Sequence, residues 1–196
     1  MTPLASPTVS LSLSMMTFFS LFTWTAPSAF GEGGARRDVI RHAVVQTAEA
    51  AAPTSLSTRA TILDQNGNVL RQGTNGWTCV SDNRDKGGQG PVCMNESWAE
   101  FANALKANRL PAGNQIGLAY MLRGGRSMNS PTPSAMEAPA DHPSVTELGP
   151  HMMARLPNPT LLAGLPTSPE QGGPWVRWAG TPYAHIIIPI EGDPAR

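Results

Sequence analysis

The 196-residue sequence predicts an α+β domain, a mostly antiparallel sheet with one main amphipathic helix, rich in loops and closed by one disulfide. Three observations carry that prediction. Short apolar runs punctuated by turn residues lie on both sides of one strongly periodic segment, so strands, a helix and more strands follow in chain order. Gly and Pro number 19 each, below the roughly 25–30% of composition that marks low-complexity disorder, which leaves a folded but turn-rich chain. The chain has two cysteines, Cys79 and Cys93, close enough in sequence to close a short loop.

The elements follow in order. Residues 11–26, "LSLSMMTFFSLFTWTA", are apolar but shorter than the about 20 residues a spanning helix needs. They fit the apolar region of a signal peptide cleaved near Ser28 to Phe30, although no Lys or Arg precedes them. Residues 1–30 are therefore expected to be a signal peptide, leaving a mature chain without a stable membrane span in a periplasmic or secreted location. Residues 31–53 carry a weak helical stripe of Val39, Ile40, Ala43, Val44 and Ala48, ended by Pro53, and read as a tether or loose helix. Residues 54–192 form the single α+β domain.

Within it, "ATILDQNGNVLRQG" sets Asn66-Gly67 between two β-like runs, the pattern of a type I′ hairpin, which needs positive φ at both central residues. A calcium loop is excluded, because Val69 stands where the pattern needs Gly and Asn75 where it needs the closing Glu. "NGWTCV" gives a third strand. "NESWAEFANALKANRLPAG" gives the helix, with Ser97 and Glu100 as a capping box and Trp98, Phe101, Ala102 and Leu105 on one face. "QIGLAYML" is a buried strand. Residues 124–150 lack periodicity and form a long loop. "HMMARLP" is a further strand, "NPTLLAGLP" a short helical turn, and "PWVRW" with "YAHIIIPI" a final hairpin.

Charge narrows the function classes. Fourteen basic and fourteen acidic residues give a net charge of +0, and no basic stripe interleaves with aromatics. Phosphate neutralisation has nothing to rest on, so nucleic acid is not expected as a partner. No Walker A, HExxH, CxxCH or G-x-S-x-G pattern occurs.

Cys79 and Cys93, with thirteen residues between them, read as a disulfide in an exported chain, since a zinc site usually shows tighter pairs. "GPHMMARLP" and "YAHIIIPI" echo one another, which puts His151 and His185 at comparable strand positions. If those strands are neighbours in register, two imidazoles face each other and hold a divalent metal, or one serves as general base. Glu137, Asp141, His142 and Met152 are candidates for a further ligand, although alternation turns Met152 away from His151. The competing reading makes both histidines structural, bonded to backbone carbonyls. Arg123 and Arg126 beside Gly124-Gly125 could hold an anion. Trp77, Trp175, Trp178 and Tyr183 could line a small-molecule pocket or simply fill the core.

Together, "VLRQGTNGWTC", "YMLRGG", "GPHMM" and "GGPWVRWAGTPYAHIIIPI" resemble a family of uncharacterised, exported bacterial proteins over most of residues 58–190. The resemblance implies a signal peptide and one compact domain and supplies no activity. That family's pattern carries Asn-x-Asp-Pro after the Gly-Gly, whereas this chain reads "MNSPTP". Two functions stand at this point. One is a small-ligand-binding or structural module of the cell envelope. The other is a histidine-dependent or metal-dependent hydrolase using His151 and His185.

Overall fold

A computed structural model describes residues 32–82, 89–128 and 145–190. Eight strands form one sheet: β1 (Thr61–Leu63), β2 (Val69–Arg71), β3 (Trp77–Val80), β4 (Val92–Asn95), β5 (Gly117–Met121), β8 (His151–Arg155), β9 (Trp175–Arg177) and β10 (His185–Pro189). Their order is β2-β1-β3-β4-β5-β8-β10-β9, antiparallel throughout except for β1 beside β3. The segment expected as a long loop contains β6 (Gly125–Met128) and β7 (Val145–Leu148), paired as a separate ribbon. The fold is α+β, as expected.

The β1–β2 turn differs in type from the expected one. Only Gly67 has positive φ (84°), while Asn66 does not. Gly67 N–H donates to Asp64 O, closing a turn with the left-handed residue last, and the β1–β2 register shifts as in a bulged hairpin. Asp64 stabilises this form by accepting from the amides of Asn66 and Asn68 at 2.8 Å each. The carboxylate thus serves the turn rather than a cation.

The main helix, α3 (Glu96–Lys106), is capped by Asn95, two residues before the predicted cap Ser97. Asn95 Oδ1 accepts from Trp98 N–H at 3.0 Å and also from Leu118 N–H of β5 at 3.0 Å. Ser97 instead donates to Gln115 O, and Glu100 holds Arg109 at 2.8 Å. Helix α3 buries Trp98, Phe101 and Ala104, with Ala102 and Leu105 half-buried. It covers one sheet face, packing on Ala119, Met121, Met153, Trp175 and Ile187.

Residues 31–53, expected as a tether or loose helix, supply α1 (Glu32–Glu49) on the other face. Val39 and Ile40 are 69% and 56% exposed, but Ala48, Ala51 and Ala52 are buried against Ile62 and both cysteines. Small side chains let the helix end approach the sheet closely there. Arg71 ties it down by an ion pair to Glu49 and a bond to Ser57 O of the short helix α2 (Thr54–Ser57) that follows. No helix among the described residues is long and apolar enough to cross a membrane.

Cys79 and Cys93 are bonded, directly opposite one another in β3 and β4, and wholly buried under the end of α1. A loop of this length contributes about 3 kcal/mol in the chain-entropy account. Urea unfolding of the Cys79→Ser/Cys93→Ser double variant should show a loss of about that size. A loss below roughly 1 kcal/mol would mean the buried sheet and α1 hold β3 to β4 without the bridge.

Candidate functional site

The two histidines lie on the same sheet face but not side by side. Strands β8 and β10 are neighbours and antiparallel, with His151 opposite Pro189 and Met153 opposite Ile187. His185 sits four residues from Pro189, roughly 13 Å along the strand. The facing imidazole pair is therefore corrected: an echoed motif aligns its histidines only in a parallel pair. Among the described residues, no three His, Cys, Asp or Glu converge as a metal would need. Glu137, Asp141 and His142 lie outside the described residues, and Met152 pairs with Ile188 on the opposite face from His151.

Each histidine is nonetheless fixed in the same way. His185 Nδ1 bonds Tyr183 O at 2.9 Å, and His151 Nδ1 bonds Gly149 O at 2.7 Å. A carbonyl only accepts, so Nδ1 carries the proton in both rings and the Nε2 lone pair remains. His185 is 3% exposed and boxed by Trp98, Phe101 and Trp178, whose ring centroids lie 5.4, 5.5 and 5.2 Å away, each meeting it edge-on. Burial, and then the charges of Arg177 and His151, push its pKa down to about 4 against the support of the Tyr183 carbonyl. Burial likewise lowers the pKa of His151, with a smaller push from Arg177. Both imidazoles are neutral at pH 7.

Residues around His185 come from three elements. Arg177 is its partner in β9, and its own pKa falls to about 10 through burial. Its guanidinium lies 4.6 Å from the Trp178 ring. Trp178 leaves the strand with φ 50°, which breaks the alternation and brings two successive side chains to one face. Tyr183 donates its hydroxyl proton to Arg109 O at 3.0 Å, so its polar end is occupied. Trp175 belongs to the same core cluster. Trp77 does not: it packs on Tyr120 at 5.7 Å on the α1 side of the sheet.

Sequence reading missed Arg155, which alternation would have placed with His151 and Met153 on the core face. It is 4% exposed, donates Nη1 to Ala112 O at 3.3 Å, and lies 5.9 Å from the Phe101 ring. Its Nε has no hydrogen-bond partner among the described residues.

The two glycine-flanking arginines separate. Arg126 pairs with Glu147 at 2.8 Å across the β6–β7 ribbon. Arg123 is exposed at the end of β5 and borders a cavity of about 310 Å³ with Gln46, Thr47, Ala50, Asp82 and Pro91. No family model matches this chain, and neither a curated protein nor a solved structure is significantly similar to it.

Proposed function

We propose that this chain is an exported small-ligand-binding or structural module of the bacterial cell envelope. The enclosure of His185 carries the reading. A general base must come within hydrogen-bond reach of a substrate proton. His185 instead spends its faces on three aromatic rings and its Nδ1 proton on the chain itself. The imidazole acts as a polar core residue whose local carbonyl satisfies it. Export is supported by the apolar segment at residues 11–26 and by the buried Cys79–Cys93 bridge, which persists in oxidising compartments. The motif-level resemblance to exported bacterial proteins points the same way.

The metal-dependent hydrolase remains the second reading because both histidines present the tautomer that ligates metals through Nε2. Metal content of the mature chain, purified from an oxidising compartment without a histidine tag, decides between them. The expected result is no stoichiometric metal, with His151→Ala and His185→Ala both less stable than the parent. Near-stoichiometric metal in the parent, lost in both variants, would overturn the module reading.

A further inference from the structure

We infer that the cavity beside Arg123 is a binding site for a small monocarboxylate with a short apolar body, an inference that rests on the module reading and gives it a place and a ligand class. Four chain segments build the cavity. The end of α1 supplies Gln46, Thr47 and Ala50, the exit of β3 supplies Asp82, the approach to β4 supplies Pro91, and the exit of β5 supplies Arg123. At about 310 Å³ it lies at the low end of the roughly 300–1,000 Å³ of ligand pockets, which suits a small molecule.

The walls are fastened to one another. Leu122 N–H donates to Ala51 O at 3.0 Å, which locks the exit of β5 to the end of α1. The disulfide joins the strands that carry Asp82 and Pro91, and Cys93 Sγ lies 3.6 Å from Ala48 O beneath the helix. A Cβ on Gly90 would meet Gly124 O at 2.3 Å, so the backbones on the Pro91 and Arg123 sides touch. Gly124 itself turns the chain with φ 67°, its N–H donating to Met121 O. A cavity held at this many points loses little freedom when a ligand enters.

Its chemistry selects the ligand. Arg71, Arg109 and Arg126 each hold a carboxylate of this chain. Arg123 has no hydrogen bond or ion pair among the described residues, while Asp82 is engaged elsewhere. A guanidinium with its fork open to solvent at a cavity mouth matches a carboxylate bidentately. Among the described residues of the lining, the charges of Arg123 and Asp82 offset one another, which disfavours a phosphate dianion. Ala50 and Pro91 offer an apolar wall for the short body of the ligand.

The test is a nitrogen-15 NMR titration of the mature chain with butyrate, with butyramide and inorganic phosphate as separate arms. Butyrate should give saturable shifts at Arg123 Nε–H and at the amides of Thr47, Ala50 and Leu122. Butyramide should bind about tenfold more weakly, and so should butyrate to Arg123→Gln, because a charge-assisted bond is lost. Arg123 is exposed and makes no hydrogen bond or ion pair among the described residues, so the variant should keep the parent spectrum elsewhere. No saturable shift, or an unchanged shift in Arg123→Gln, would overturn the site. Phosphate binding more tightly than butyrate would overturn the ligand class. Metal content decides the module reading separately: a metal-free chain that ignores butyrate loses only this site, and a metal-bearing one loses both.

Discussion

Acidification from pH 7 to pH 4 should cost the domain roughly 3 kcal/mol through His185 alone. Its folded pKa of about 4 lies below the ordinary 6.5, so the unfolded chain takes up the proton first. The contribution of the neutral imidazole is full above pH 6.5, declines as pH falls from there, and is gone below about pH 4. His151, also shifted down by burial, adds a loss of the same sign. The carboxyl of Glu100 is held below its usual range, chiefly by its bond to Arg109, so its loss falls at lower pH and leaves the histidine window distinct. Urea midpoints measured across pH 4 to 7.5 would trace the slope. In His185→Leu the chain should be weaker at pH 7 but its slope over that window much flatter. An unchanged slope would show that His185 does not titrate with unfolding.

Phe101→Ala should be the most damaging single substitution on the helix face, at about 3–5 kcal/mol. Phe101 is 2% exposed and lies between unlike neighbours: the Trp98 and His185 rings, with centroids 5.1 and 5.5 Å from its own, and the Arg155 guanidinium at 5.9 Å. Removing the ring leaves a void bordered by polar nitrogens, which water can enter. The loss of stability should therefore come with a rise in the His185 pKa, read from the histidine ring resonances. A loss below roughly 1 kcal/mol would mean that α3 settles onto the sheet and closes the gap.

Much of this architecture is legible in the residues because local rules decide it. Alternation in "GLAYM" gives the burial of β5 directly, Gly-rich punctuation marks the strand ends, and two cysteines leave one pairing. The cap of α3 is legible only as a choice. Asn95 and Ser97 are both good cap residues, and Asn95 prevails because its oxygen also serves Leu118 of β5 while Gln115 takes the Ser97 hydroxyl. Such partners lie some twenty residues away and leave no local trace. The candidate site fails to read for the same reason. His151 and His185 sit in near-identical local contexts, and each finds the same carbonyl two residues back. Their separation follows from strand direction, which the echo between the two segments does not encode. The Arg123 cavity needs four segments in contact, including the end of α1, whose run of alanines shows little periodicity but packs tightly because those side chains are small.

The position of β10 has a consequence for how the chain acquires its structure in time. It follows every other strand of the sheet along the chain, yet it lies second from the edge, between β8 and β9. During synthesis, β9 has no seat on the sheet until residues 185–189 have emerged, and His185 has no box until then. Strand β8 must likewise find β5 across a long intervening segment. Pairings of such separation are slow, in the range of milliseconds to seconds for sheet-dominated domains. The chain thus spends its growth unfinished and closes its larger core late, with the last strand to appear.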